Sequence, residues 1–327
     1  MSSATPSTSS PPTSRPPALV LFGGSSLCGQ ALISQRPVDM PLQLLSRQPL
    51  PAPPLASWHH CDLTDLRPAA LEQVAITLPP GPQVWIGFAH LWQLAPFLEA
   101  LSLQQPQALQ TLRAVVACSS SSVITKRFAA NRVDRELVAR LGAAQDLLLK
   151  RCRQLAVPCR ILAPTLIHGR LGEVSDRNLE QLRSLLRRLP LLPLPTPTGL
   201  RQPIAANELA AVALDQARRL LTGEKEDGPG GGLLPLGGDE TITYLEMLRR
   251  LQASDPAARR CRLLPVPTRL FQALAAPLLL LSPKHFEAVL RISADLAGFC
   301  SAAELLERPP RLFQPCPAPG GRLAVDV

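Results

Sequence analysis

Apolar and polar positions alternate between two kinds of segment along most of the chain. Ala18-Leu19-Val20-Leu21-Phe22 is a continuous apolar run that stops at glycine, as a strand buried on both faces does. Leu27 to Ser34 reads as a helix. Further strands fit Leu42 to Leu45, a segment ending near Cys61-Asp62-Leu63, Val84 to Phe88, and Ala114 to Cys118. Helical patterns lie between most of them, at Pro68 to Val74 and Trp92 to Leu101. Strands alternating with helices predict a doubly wound parallel sheet, an α/β Rossmann architecture.

Arg132 to Leu155 is a long amphipathic helix, with Val133, Leu137, Leu141, Ala144, Leu148 and Leu155 recurring at helical spacing. A sixth strand follows at Cys159 to Leu162. Asn207 is expected to cap another helix running through Leu209, Val212, Ala213, Ala217 and Leu220. The acidic, glycine-rich stretch Gly223 to Gly232 reads as a surface loop before a short strand, Leu233 to Leu236. Thr241 to Phe313 is expected to be mostly helical with proline breaks. The predicted organisation is a disordered tail over 1–17, an NAD(P)-binding Rossmann domain over 18–168, and a smaller, mostly helical carboxy-terminal lobe over 169–327. Within that lobe, 200–237 return to the Rossmann sheet.

Composition refines this picture. The tail is Ser, Thr and Pro with almost no apolar content, so burial cannot offset its ordering entropy. It lacks the apolar core of a secretory signal. The 8 cysteines are spread singly with no C-x-x-C pair, which argues against structural zinc and for a reducing compartment. That points to the cytoplasm, or to an organelle stroma if the serine-rich, acid-free tail is a transit peptide. His59-His60-Cys61-Asp62 looks metal-like, but adjacent strand residues point to opposite faces, so no metal site is expected. Leu270 to Leu281 is the most apolar stretch and is too short to span a bilayer. The net charge of +9 suits an anionic ligand. The basic clusters are short, scattered and poor in aromatics, which excludes a nucleic-acid stripe.

The chemistry gathers at strand ends. Phe22-Gly23-Gly24-Ser25-Ser26-Leu27-Cys28-Gly29 joins the first strand to a helix. Glycines there allow a tight turn whose free amides face a pyrophosphate at the helix start. Ser46-Arg47 follows the second strand, where the adenosine ribose is expected. An acid there would bond the 2′-hydroxyl, whereas arginine suits a 2′-phosphate, so NADP is preferred over NAD. Asp62-Leu63 brackets the adenine, and Ala89 follows the fourth strand. Ser119 to Ser122 follow the fifth strand and face the ligand crevice.

At this point the chain resembles a known family. Val115 to Lys126 (VVACSSSSVITK), Ile161 to Gly169 (ILAPTLIHG), Gly199 to Ala210 (GLRQPIAANELA), Leu236 to Met247 (LGGDETITYLEM) and Pro310 to Phe313 carry the likeness. Their order and spacing resemble the extended short-chain dehydrogenase/reductases, the NAD-dependent epimerase/dehydratases, and within them the nucleoside-diphosphate-sugar epimerase-like proteins. The resemblance implies a bound dinucleotide and a nucleotide-sugar-like or other anionic substrate. It matches Ser120 to the catalytic serine and Arg201 to the residue gripping substrate phosphates.

The departures from the family pattern are specific. Ser26 stands at the middle glycine of G-x-x-G-x-x-G. The family's tyrosine and the lysine four residues later fall on Leu137 and Leu141 when Ala144-Gln145 is aligned with the family's Ala-Glu. The chain's 1 tyrosine is Tyr244, in the carboxy-terminal half. Ala163 replaces the family's arginine before Pro164, and His168 its tyrosine before Gly169. Lys126 and Ser120 are therefore the catalytic candidates, with His168 and Arg201 at the substrate. The rival expectation is a non-catalytic dinucleotide-binding scaffold, redox sensor or complex assembly factor. A homodimer is compatible with the sequence.

Overall fold

A computed structural model describes residues 17–129, 131–223, 232–277, 287 and 289–316. The expected disordered tail, except Pro17, lies outside the described residues. So do most of the acidic glycine-rich loop and the end of the Leu270 to Leu281 stretch.

The first half alternates as the hydrophobic pattern requires: β1 (Ala18–Phe22), α1 (Leu27–Gln35), β2 (Leu42–Ser46), β3 (Ala56–His60), α2 (Pro68–Thr77), β4 (Gln83–Gly87), α3 (Leu91–Gln104), β5 (Leu112–Cys118), a short α4 (Ser122–Thr125), α5 (Arg132–Gln154) and β6 (Cys159–Pro164). Beyond it come the two-residue strands β7 (Ile167–His168), β8 (Arg170–Leu171) and β9 (Val174–Ser175), then α6 (Arg177–Arg188) and β10 (Leu191–Thr196). Next are β11 (Leu200–Arg201), β12 (Ile204–Ala205), α7 (Ala206–Thr222), β13 (Leu233–Gly237), β14 (Ile242–Thr243), α8 (Tyr244–Ala253), β15 (Arg262–Pro267), α9 (Thr268–Ala275), β16 (Cys300–Ser301) and α10 (Ala302–Leu306).

Eight parallel strands form the central sheet in the order β16-β13-β6-β5-β4-β1-β2-β3. Period-two alternation sorts each strand between two cores. Val20, Phe22, Trp85, Val115 and Ile161 pack with Leu71, Phe97 and Leu148 from α2, α3 and α5. Leu19, Leu21, Ile86, Val116 and Leu162 pack with Ala31, Leu32, Leu209 and Ala213 from α1 and α7. Runs apolar at every position are thus strands covered on both faces. A third core sits in the lobe, where Leu179 and Leu186 of α6 meet Met247, Leu248 and Leu251 of α8.

Chain order turns back between β1 and β4. From β1 the chain builds outward through β2 and β3, then returns to build β4, β5 and β6 on the other side. Such a switch point opens a crevice beyond the carboxyl ends of the strands.

Three expectations need correction. The helix after β12 starts at Ala206, and Ala205 is its N-cap with no side-chain bond. Asn207 therefore lies inside the first turn and does not cap. Thr241 to Phe313 is less helical than its composition suggests. β15 carries Pro265 and Pro267, which lack the N–H a helix interior needs, and it pairs in parallel with β10 as a two-stranded sheet. Finally, of 200–237 only β13 joins the central sheet, β11 and β12 pairing elsewhere, and β16 from further along the chain joins it too, at Leu236–Cys300 and Gly237–Ser301.

Candidate functional site

The turn after β1 is built by glycines where backbone meets backbone. Gly23 has φ +79°, and a Cβ on it would stand 2.5 Å from the Ala89 nitrogen. A Cβ on Gly29 would run into the Gly23 carbonyl. The two glycines let the start of α1 close onto the end of β4. The Phe88 amide donates to the Phe22 carbonyl at 2.8 Å, which locks the two strand ends together.

Ser26 is the N-cap of α1. Its Oγ accepts from the Gly29 amide at 3.1 Å and donates to the Gly23 carbonyl at 2.8 Å. The serine in place of a middle glycine thus ties up one of the amides of the first turn. The amides of Leu27 and Cys28 remain without an acceptor among the described residues. Two unpaired amides at a helix start, reached through a glycine turn, form a cradle that fits a dinucleotide pyrophosphate.

A cavity of about 450 Å³ opens in front of that cradle. Its walls are mostly apolar: Leu27 and Cys28 of α1, Phe88 to Trp92 after β4, Cys118 at the end of β5, Ile167, and Leu137 and Leu141 of α5. Ser119, Ser120, His90, Asp176 and Arg177 supply its polar groups. Ser119 Oγ accepts from the Gln145 amide at 2.7 Å, and Ser120 Oγ pairs with Ser122 Oγ at 3.1 Å. Asp176 caps α6, its carboxylate accepting from the Leu179 amide at 2.7 Å and the Gly169 amide at 3.2 Å. Burial raises its pKa above the ordinary carboxylate value.

The structure brings Ser26, Leu27, Ala89 and Ser120 around this cavity, with Gly23 and Gly29 shaping the adjoining turn. Ser25 is exposed beside them. Ser46, Arg47, Asp62 and Leu63 stand at the carboxyl ends of β2 and β3, outside the cavity lining. The Ser46 hydroxyl accepts from Trp58 Nε1 at 2.9 Å and donates to the Gln48 carbonyl at 2.6 Å. Asp62 bonds the Thr64 amide at 2.9 Å, a contact that lowers its pKa, with a smaller contribution from the nearby Arg47 charge. Arg47 itself is exposed.

The remaining candidates are elsewhere. Lys126 Nζ is held by Asp134 Oδ1 at 2.7 Å, and Arg291 reaches the same carboxylate at 2.6 Å. Burial pushes the Asp134 pKa up, but bonds from Lys126 and Asn131 outweigh it and hold the carboxyl below its usual range. Arg201 is buried, and its guanidinium donates to the carbonyls of Leu200, Ala294 and Arg291 while stacking over Tyr244 at 5.0 Å. His168 is 6% exposed and packs edge-on against Phe313 at 4.8 Å. It lines a separate cavity of about 120 Å³, and burial lowers its pKa to about 4.

The sequence alone did not single out His90, Trp92, Arg140 or Arg177. His90 and Trp92 were reachable in principle, because both follow the carboxyl end of β4 at the switch point. Nothing local marks Arg177, which the fold brings in from the lobe. The cavity thiols are inert: burial pushes Cys28 up to about 12 and raises Cys118 as well, so both stay protonated. Among the described residues no cluster of metal-ligating side chains occurs, and no helix is long and apolar enough to cross a membrane.

No protein-family model and no curated protein matches the chain. Solved structures do. Gre2 from Candida albicans superposes with a TM-score of 0.61 at 11% identity, over 91% of this chain and 96% of that one. UDP-glucuronic acid 4-epimerase from Bacillus cereus, solved in complex with NAD, gives 0.58 at 12% identity, over 90% and 94%. A GDP-mannoheptose C4 reductase from Campylobacter jejuni, solved with NADP bound, gives 0.56 at 12%, over 78% and 88%. The chain therefore has the Rossmann fold that these structures share, among them an epimerase solved with NAD and a reductase solved with NADP.

Proposed function

We propose that the chain binds NAD(P), with NADP preferred, and does so without the tyrosine–lysine proton transfer of the enzymes whose fold it shares. The observation that carries this reading is the cavity wall: Leu137 and Leu141 line it one helical turn apart, and the chain's tyrosine, Tyr244, is half-buried against the lobe core and does not line it. Two leucines offer no proton at any pH. Lys126 is neutralised by Asp134, and His168 faces another cavity.

The Leu27 and Cys28 amides would hold the pyrophosphate, with Gly23, Gly29, Ser25, Ser26 and Ala89 shaping the approach. Ser46 and Arg47, with Asp62 and Leu63 beyond, would receive the adenosine end. A bound nicotinamide supplies hydride chemistry where a substrate is present. With leucines where the tyrosine and lysine would stand, binding itself is the function: a scaffold or assembly factor stabilised by its dinucleotide. Desolvation raises the pKa of both cavity thiols, Cys28 and Cys118, which argues against a redox sensor built on these two.

A second reading is favoured by one feature, the Ser120 hydroxyl in the same cavity. There the chain is an epimerase-, dehydratase- or reductase-like oxidoreductase on a nucleotide-sugar-like or other anionic substrate, with Ser120 or water relaying the proton.

Titration of the purified protein with NADPH and NADH, followed by nicotinamide fluorescence, tests both readings. Saturable binding with no turnover on carbonyl substrates supports the first. Turnover that Ser120→Ala abolishes supports the second. Failure to bind either dinucleotide overturns both.

A further inference from the structure

The mouth of the crevice carries a charge arrangement that dinucleotide binding leaves unused. The His90 ring stacks on Trp92 with centroids 4.5 Å apart and planes 10° from parallel. The Arg140 guanidinium lies 5.3 Å from the centroid of the same indole. Arg177, the first residue of α6, lines the cavity from the lobe side. Both arginines are exposed, and neither has a carboxylate partner among the described residues. Asp176 is adjacent, but its carboxylate is engaged by the amides of Leu179 and Gly169. After burial, the charges of Arg140 and Arg177 are what hold the His90 pKa below its ordinary value, so both bear on one spot.

Behind this mouth the wall is Leu91, Leu137, Leu141 and Ile167. A sugar would leave hydroxyls unpaired against those side chains, which costs more than apolar contact returns. Unpaired guanidiniums in the open, by contrast, are ready to grip a phosphate or carboxylate in a forked bond.

We propose that this mouth recognises the anionic head of an amphipathic small molecule, a phosphate or carboxylate on an apolar body, with Arg140 and Arg177 as specificity-determining residues and the leucine wall holding the body. The assignment rests on the proposed function only in taking this crevice as the ligand site. It moves anion recognition from Arg201, which is buried with three bonds to backbone carbonyls, to residues on α5 and α6. A cavity of about 450 Å³ lies within the range of small-ligand pockets.

The test uses octyl phosphate, octanoate, octanol and inorganic phosphate as probes. Binding is read by calorimetry and by Trp92 fluorescence, with Trp92→Phe assigning the signal. Octyl phosphate or octanoate is expected to bind saturably, and octanol and inorganic phosphate each much more weakly. Removing both forks in Arg140→Ala/Arg177→Ala is expected to weaken the better anion by at least about tenfold. Both arginines are exposed and have no carboxylate partner among the described residues, so the variant's circular dichroism and melting are expected to match the parent's. A preference between octyl phosphate and octanoate identifies which anion the mouth serves. Leu137→Gln is expected to weaken both anions, reporting the apolar wall.

Equal binding by parent and arginine variant overturns the proposal, as does an absence of saturable binding by the parent. The measurement is repeated with NADPH. Anion binding without any NADPH binding refutes the proposed function and leaves this inference standing; NADPH binding without anion binding does the reverse.

Discussion

His168 offers the sharpest physical test of the structure, because burial fixes both the sign and the size of the effect. Its side chain is enclosed by Phe313 and the start of α7, its Nδ1 has no hydrogen-bond partner, and its pKa falls from the ordinary 6.5 to about 4. The folded protein therefore resists protonation that the unfolded chain accepts. Between those two values the unfolded state binds more protons, so stability rises with pH across that window. The contribution is fully present above the unfolded value, is lost as pH falls toward about 4, and changes no further below that. A gap of about 2.5 units at 1.36 kcal/mol each amounts to about 3 kcal/mol, of which about 2 is already gone at pH 5.

The perturbation is His168→Phe, which keeps a ring against Phe313 and has no proton to take up. The assay is urea unfolding of both proteins at pH 7.5 and pH 5. The parent is expected to lose about 2 kcal/mol more than the variant between the two conditions. Asp176 and Glu208, whose burial raises their pKa values, titrate in both proteins and cancel in the comparison. At the higher pH the variant is expected to be no less stable, since an unpartnered buried nitrogen costs about 1–3 kcal/mol. Parallel losses in the two proteins would refute the buried, neutral histidine and reopen a role for it as a base.

Three further outcomes follow from the crevice. Ser26→Gly releases the Gly29 amide that the serine hydroxyl now occupies. It is expected to cost a few tenths of a kcal/mol in helix capping while tightening NADPH binding severalfold; weaker binding in a fluorescence titration would mean that the hydroxyl assists the phosphate. Arg47→Ala is expected to weaken NADPH about tenfold and leave NADH unchanged, since a charge-assisted contact to a 2′-phosphate exists only in the former; equal effects remove the NADP preference. In L137Y/L141K the added ammonium faces the added phenol one helical turn away, so tyrosinate absorbance is expected to titrate about one unit lower than in L137Y alone. Identical titrations would mean that the two positions do not face each other.

The sheet was legible where burial on both faces writes itself as an apolar run, as in Ala18–Phe22 of β1, and less so at the edge strand β3, where Ala-Ser-Trp-His-His is only partly buried. The glycine turn was legible for a related reason: Gly23 and Gly29 stand where backbone passes against backbone, and no side chain fits. Tertiary partners were not legible. Lys126 reads as a free cation until Asp134, eight residues later, is seen beneath it. Arg201 reads as a phosphate grip until the fold closes three carbonyls around it. Asn207 reads as a cap because asparagine often is one, yet Ala205 takes that position. For Lys126 and Arg201 the deciding partners came from positions the local pattern does not pair with them; for Asn207 the error was the helix start itself.

The same reasoning separates binding from chemistry in this chain. Dinucleotide binding draws mainly on backbone: two amides at a helix start and two positions that exclude a Cβ. Such a site survives loss of side-chain functionality, as Ser26 illustrates by occupying one amide and leaving two. Proton transfer has no backbone substitute and depends on particular side chains facing the cavity. On α5 that wall consists of Leu137 and Leu141, while Lys126 is spent on a carboxylate that Arg291 also holds. Installing the tyrosine–lysine pair would therefore require replacing both leucines, whereas disrupting the glycine turn would require only a Cβ at Gly23, 2.5 Å from the Ala89 nitrogen.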